Sequence, residues 1–92
     1  MELDEIVLKI REKYFERDRG SGSLFLLAVL FEEVGELAEA VRKNQKEQIG
    51  EELCDVLFMV LSIANLYGVD VVKRLIEKYI EDDPSHRWDL PS

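Results

Sequence analysis

Two clusters of carboxylate residues, separated by a short polar segment, are the part of this chain that could do chemistry. Their members are Glu32, Glu33, Glu36 and Glu39 in the first cluster, and Glu51, Glu52 and Asp55 in the second. Residues three apart share one face of a helix, which pairs Glu33 with Glu36 and Glu52 with Asp55. Sets of oxygen ligands suit Mg²⁺ or Mn²⁺, and no histidine or cysteine is placed to favour zinc.

The polar segment between the clusters, residues 44–48, permits an antiparallel helical hairpin that brings the two pairs to similar heights. Four carboxylates that converge cannot all stay ionised unless positive charge lies between them. Magnesium keeps several of its waters and commonly bridges to substrate phosphates. We therefore predict a divalent-metal site made by Glu33, Glu36, Glu52 and Asp55, with room for two or more ions.

Two alternatives to a metal site remain open for these carboxylates. Glutamates on an exposed helix usually form only a solvated face. However, Glu52 and Asp55 point the same way as apolar residues of their helix, where ionised groups are costly unless they are paired or bind a cation. A salt bridge to a base on another helix is the second alternative, although the facing helix offers carboxylates rather than bases.

Hydrophobic periodicity predicts an all-α fold with a helical hairpin core and flanking helices. The predicted segments are an outer helix at 1–17, the metal-binding hairpin helices at 24–43 and 49–67, a fourth helix at 69–81, and a tail at 82–92. We expect the first two turns of the second helix to be buried on every side, because they are apolar all round. The third helix is expected to be central, with Cys54 as an inert core residue.

The segment DRGSGS, residues 18–23, predicts a break after the first helix, since glycine and serine are frequent in loops. Ser23 is a plausible cap for the helix that follows. The segment is either a plain connector or a mobile loop that closes over a substrate with Arg19.

The whole chain has 92 residues and predicts one domain over 1–92. Its hydrophobic content of 47% is large for so short a chain, and we therefore expect a homo-oligomer. The net charge of −8 disfavours a nucleic-acid partner. We find neither a signal peptide nor an apolar run of membrane-spanning length, so we expect no membrane partner and a cytoplasmic protein.

The pattern Glu-Glu-x-x-Glu at Glu32 to Glu36, followed by Glu-x-x-Asp at Glu52 to Asp55, resembles the signature of the MazG-type nucleoside triphosphate pyrophosphohydrolases. The resemblance covers about residues 24–70. It implies an all-α fold that completes four-helix-bundle cores by forming dimers or tetramers. It also implies Mg²⁺-dependent hydrolysis of nucleoside triphosphates to the monophosphate and pyrophosphate, with Mn²⁺ as a substitute ion.

The resemblance also implies roles for individual residues. Glu33, Glu36, Glu52 and Asp55 would be the metal ligands, and Glu32 or Glu33 would activate the attacking water. Glu39 would be a further ligand or the partner of a basic side chain. Lys78 and Arg87 would be the candidates for phosphate binding. Independently of the resemblance, Arg19 is a candidate because it lies in the predicted loop that could close over a substrate, and Trp88, Phe15, Phe25 or Tyr14 could stack on the base.

Two rival functions remain for this chain. One is a non-catalytic acidic helical adaptor, in which the carboxylates form a solvated face or a structural cation site. The other is phosphoribosyl-ATP pyrophosphohydrolysis, which uses a similar helical site. We expect burial of Asp55 to separate an enzyme from an adaptor, since a solvated face would leave it exposed.

Overall fold

The computed structural model describes residues 1–83, and over that range the chain folds into four α-helices with no strand. They are α1 (Leu3–Ser21), α2 (Ser23–Arg42), α3 (Lys46–Tyr67) and α4 (Val71–Tyr79). The predicted all-α fold is confirmed. α2 and α3 form the most extensive interface, while α1 packs mainly on α3 and less on α2.

The predicted loop at residues 18–23 is wrong, because α1 continues to Ser21 and the chain breaks only at Gly22. Gly22 has φ +90°, a conformation that suits glycine, and its N–H donates to the carbonyl of Asp18 at 2.9 Å. A glycine within a helix, such as Gly20, costs only about 1 kcal/mol, so it does not by itself end the helix. Ser23 is the first residue of α2 and not its cap.

The turn between α2 and α3 is also shorter than predicted, since α3 already begins at Lys46. Asn44 has φ +54°, a left-handed conformation that asparagine tolerates better than most residues. The early start of α3 puts Gln48 one helical turn before Glu52, where it can contact the carboxylate cluster.

Two hydrogen bonds and one ring contact hold α1 against α3. Arg11 NH1 donates to the carbonyl oxygen of Asn65 at 2.8 Å, and Asn65 Nδ2 donates to the carbonyl oxygen of Val7 at 3.1 Å. The rings of Tyr14 and Phe58 pack edge to face, with centroids 5.1 Å apart. Because Asn65 is itself buried, these bonds satisfy a polar group that would otherwise destabilise the interface.

α3 ends at Gly68, which has φ +65° and closes the helix in the left-handed conformation. Asp70 then caps α4 by accepting from the N–H of Lys73 at 3.1 Å. The chain bends by 112° between α3 and α4. No single helix in residues 1–83 is long and apolar enough to span a membrane, and α3 with α4 meets that test only as this bent pair.

Burial in the single chain is smaller than predicted. The buried apolar residues of the described range are Leu26, Ala40, Met59, Leu61 and Ala64. The expectation that the start of α2 is buried on every side is wrong for the single chain. α3 contacts both α1 and α2, but one side of it is exposed, and Cys54 is exposed where a core residue was expected. The physical reason is that the neighbouring helices cover only part of the circumference of α2 and of α3 and leave another side exposed. The exposed apolar side chains on the other side include Leu24, Phe31, Leu53 and Leu57.

Candidate metal centre

Three of the four predicted ligands meet at one point between α2 and α3. One carboxylate oxygen from each of Glu33, Glu36 and Glu52 lies within 4.8 Å of the others. Glu33 and Glu36 are one turn apart on α2, and the hairpin brings Glu52 of α3 opposite them. Such a group of carboxylate oxygens is the type of site that binds a divalent cation.

Asp55 lies beside this group instead of within it. Asp55 is exposed, whereas Glu52 is only 6% exposed, so the expected burial of Asp55 is wrong. The exposure of Asp55 therefore does not favour an enzyme over an adaptor, and the buried carboxylate of the second motif is Glu52. A residue three positions along a helix is rotated by about 60° from the first, which turns Asp55 away from the groove that holds Glu52. Asp55 is nevertheless close enough that its charge contributes to the raised pKa of Glu33.

The three central carboxylates disfavour one another's ionised forms. Burial is the largest cause that raises the pKa of Glu33 to about 7, followed by its hydrogen bond with Glu52 and by neighbouring negative charges. The charge of Glu52 is the largest cause of the raised pKa of Glu36. Without a cation, this cluster therefore retains protons at a pH where ordinary glutamates have lost them.

Two oxygens of the carboxylate cluster accept no hydrogen bond from a neighbouring donor and could instead bind a cation. Apart from the proton that Glu33 and Glu52 can share, Glu33 Oε2 and Glu52 Oε2 are buried and accept no hydrogen bond from a neighbouring donor. Gln48 Nε2 donates to the other oxygen, Glu52 Oε1, at 2.7 Å and so orients this carboxylate. Buried acceptor oxygens without donors are costly unless something positive binds them. The residues present therefore fit a hard divalent cation such as Mg²⁺.

The alternative of a salt bridge to these carboxylates finds no support within residues 1–83. Two basic residues at the end of the α2 segment, Arg42 and Lys43, pair with Glu39 at 3.8 and 2.9 Å. The hydrogen bond from Lys43 lowers the pKa of Glu39. Of the two roles left open for Glu39, the structure therefore shows the ion-pair partner.

The remaining predicted site residues lie apart from the three central carboxylates. Glu32 is exposed but near enough for its charge to contribute to the raised pKa of Glu36. Arg19 pairs with Glu16 at 2.8 Å on the surface of α1, and Lys78 lies over the ring of Tyr79 on α4. Substrate binding by Arg19 and Lys78 stays a prediction. Arg87 and Trp88 lie outside the described residues.

Two cavities flank the metal centre, and the sequence did not indicate either. A polar cavity of about 380 Å³ lies toward the α2–α3 turn and is lined by Glu36, Glu39, Lys43, Gln45, Gln48 and Glu52. A more apolar cavity of about 350 Å³ lies toward α1 and includes Asp18 among its lining residues. Sequence reasoning missed Asp18 because an aspartate beside glycines and serines has the pattern of a turn.

An all-α hairpin whose two helices both contribute carboxylates to one partly buried cluster belongs to the class of helical proteins that could hold a divalent cation between two helices. Within that class, the model of the MazG nucleotide pyrophosphohydrolase domain family matches residues 21–87, and the chain belongs to this family. The resemblance drawn from the two motifs is thereby confirmed. A comparison with curated proteins finds no match. Membership of the family suggests nucleotide pyrophosphohydrolase activity that depends on a divalent metal.

Proposed function

We propose that this protein is a Mg²⁺-dependent pyrophosphohydrolase of nucleoside triphosphates, acting on ribo- or deoxyribonucleotides in the upkeep of the nucleotide pool. The observation that carries the proposal is the cluster of Glu33, Glu36 and Glu52, with two buried oxygens that have no donor. Three carboxylates that each bring an oxygen within 4.8 Å of the others fit a cation that also binds phosphates, and the family suggests a nucleotide substrate.

The roles of the carboxylates follow from their positions. Glu33, Glu36 and Glu52 hold the ion, Asp55 completes its ligands from the side, and Mn²⁺ can replace Mg²⁺. When bound, the ion supplies positive charge to the phosphate oxygens and lowers the pKa of a bound water. Glu32 lies at the edge of the cluster, where its carboxylate can take a proton from the attacking water, and Glu33 is the alternative base.

The reaction balances as a hydrolysis. The water oxygen forms a bond to the α-phosphorus, and the bond between the α-phosphorus and the oxygen that bridges to the β-phosphorus breaks. The water loses one proton to the carboxylate base, and pyrophosphate leaves with the bridging oxygen. The products are the nucleoside monophosphate and pyrophosphate.

We also propose that a second copy of this chain covers the exposed apolar side of the hairpin, giving a dimer or tetramer. The exposed positions on α2 alternate in spacing between three and four residues, and they are Leu24, Leu27, Phe31, Val34, Ala38 and Val41. This 3.5-residue repeat is the pattern of helices that pack along one seam. Leu53 and Leu57 of α3 add exposed apolar area beside it.

Pyrophosphate release from a panel of canonical and modified nucleoside triphosphates, with Mg²⁺ and with EDTA, tests the reaction. We expect release that needs Mg²⁺ or Mn²⁺, with the monophosphate as co-product. Glu52→Gln should lower turnover by at least about 100-fold, the scale on which loss of one key electrostatic group acts. Glu51→Gln is the matched control, because Glu51 is the exposed neighbour of Glu52 and should retain activity.

The rival functions give different results in the same assay. No release from any triphosphate, with Mn²⁺ also tried, would favour the acidic adaptor. Turnover of phosphoribosyl-ATP alone would favour the other pyrophosphohydrolase activity. Release of orthophosphate in place of pyrophosphate would contradict attack at the α-phosphorus.

A further inference from the structure

The cavity of about 350 Å³ at the junction of α1, α2 and α3 has the size and character of a small-molecule site. Its apolar walls are Phe25, Leu26, Val29, Phe58 and Met59. Its lining includes none of the cluster's three carboxylates, and it lies one to two helical turns from Glu33 and Glu52 along the hairpin. Val29 is four residues before Glu33 on α2, and Met59 is four residues after Asp55 on α3, about 6 Å along each helix.

Asp18 is a buried carboxylate in this cavity that the proposed hydrolysis does not use. It is 3% exposed and lines the cavity together with Arg17. Arg17 Nε and NH2 both donate to Asp18 Oδ1, at 3.2 and 2.9 Å. The Arg17 guanidinium in turn lies over the ring of Tyr14, 4.5 Å from its centroid. The pairing leaves Asp18 Oδ2 able to accept a hydrogen bond from a ligand.

We propose that this cavity binds the nucleobase of the substrate, and that Asp18 selects bases with an amino group on the edge far from the sugar, namely cytosine or adenine. This inference rests on the proposed function for the presence of a triphosphate at Glu33, Glu36 and Glu52. Apolar walls with few placed polar groups are the usual construction of a site that orients one small ligand.

The direction of the substrate follows from the position of Asp18 in the cavity. Asp18 lies next to Gly22, which precedes α2, and Phe25 is about 12 Å along α2 from Glu33. Phosphates at the carboxylate cluster therefore put the sugar near Val29 and the far edge of the base near Asp18. Phe25 lines the cavity and is 58% exposed, so its ring is open for stacking on the base.

The chemistry of that far edge decides the selection. An amino group at the 4-position of a pyrimidine or the 6-position of a purine donates a hydrogen bond to the Asp18 carboxylate. An oxo group at the same position, as in uracil, thymine or hypoxanthine, presents lone pairs to a negative charge and gives Asp18 Oδ2 no donor. Losing one hydrogen bond to a charged group corresponds to roughly a 10- to 100-fold difference in affinity.

Matched substrate pairs that differ in this one group test the inference by kcat/KM. We expect dCTP to exceed dUTP, and dATP to exceed dITP, by roughly 10- to 100-fold in at least one pair, and that pair identifies the base class. Asp18→Asn should bring the ratio close to one, since an amide can donate to an oxo group. Glu16→Gln, an exposed carboxylate on the same helix, is the control and should leave the ratio unchanged.

Binding of dCMP and dUMP, and of dAMP and dIMP, measured by calorimetry without turnover, separates this inference from the proposed reaction. Preferred binding of an amino base that Asp18→Asn abolishes supports the cavity even if hydrolysis fails. Hydrolysis with wild-type ratios near one in both pairs overturns the inference and leaves the proposed function standing. If Asp18→Asn loses its helical circular dichroism, the wild-type ratios alone decide.

Discussion

At the scale of single residues, the carboxylate cluster holds groups of like charge close together, a conflict that a bound cation would relieve. Glu33 Oε2 and Glu52 Oε2 are buried without donors, and the pKa of Glu33 is raised to about 7. Gln48 satisfies only one oxygen of Glu52. Natural proteins keep such conflicts mainly at functional sites, and here the conflict lies within the residues that match the family.

The raised pKa of Glu33 predicts how the stability of the metal-free protein depends on pH. Between its usual pKa of 4.5 and the folded value of about 7, the folded state binds more protons than the unfolded state. The free energy of unfolding should therefore fall as pH rises through this window. Thermal unfolding in EDTA from pH 5 to 8 measures this fall, and Glu33→Gln should make it shallower. Equal slopes for both proteins would contradict the prediction.

Added Mg²⁺ should restore the stability that the metal-free protein loses as the pH rises. At pH 8 the carboxylates are ionised and free to bind Mg²⁺, which stabilises the folded state by mass action. At a concentration 100-fold above its Kd, the gain is about 2.7 kcal/mol, and each kcal/mol is worth about 4–8 °C in Tm for a domain of this size. A Tm of the wild type that does not change with Mg²⁺ would argue against the site. Glu52→Gln serves as the variant that should not respond.

At the scale of elements, the two helices of the hairpin position the carboxylate ligands. The residues at which α2 ends and α3 begins decide which side chains of the two helices lie opposite each other. Asn44 allows a short turn between α2 and α3, and Gly68 stops α3 where the chain must change direction toward α4. Both positions have positive φ. The contacts of α3 with α1, through Asn65 and the ring of Phe58, hold these two helices together, and Phe58 also lines the apolar cavity.

Substitution of two glycines, one within α3 and one at its end, should have opposite effects on stability. Gly68→Ala forces a side chain into φ +65° and should destabilise the fold by about 1–2 kcal/mol. Gly50→Ala, within the helix and with nothing within 4 Å of the added carbon, should stabilise it by about 0.5–1 kcal/mol. Urea denaturation of both variants measures the two effects. A stabilising Gly68→Ala would mean that Gly68 does not end α3 in this way.

At the scale of the whole molecule, the single chain leaves an apolar side uncovered. Leu24 is 81% exposed and Phe31 is 66% exposed, on the side of α2 away from the carboxylate cluster. Phe31 and Glu33 differ by about 200° around the helix, so a partner that covers Phe31 leaves the metal centre accessible. Exposed apolar surfaces of this kind typically mark interaction sites.

Disruption of that side should change the mass of the protein in solution. We expect the wild type to sediment with a mass that is a multiple of 10.7 kDa, the mass of one chain. Phe31→Lys should shift the protein toward the monomer, because a lysine in the seam would have to bury its charge. Leu75→Lys is the control, since Leu75 is also exposed but lies on α4. A wild type that sediments as a monomer would contradict the proposed oligomer.

Local patterns in the chain were sufficient to predict the four helices and most of the carboxylate cluster. The i, i+3 spacing of Glu33 and Glu36, and the placement of Glu52 across a short turn, depend on helical geometry alone. For that reason the predicted hairpin and the meeting of these three residues agree with the structure. Glycines and serines at residues 18–23 misled the prediction, because their loop preference is weak against continued helical hydrogen bonding.

Burial depended on how the helices pack, which no local pattern encodes. Periodicity shows that a face is apolar but not whether another helix covers it, so Leu53 and Phe31 are exposed where burial was expected. The same limit applies to polar groups. Asp55 lies outside the groove and Asp18 lies inside a cavity, because the relative rotation and placement of α1, α2 and α3 set the solvent exposure of each carboxylate.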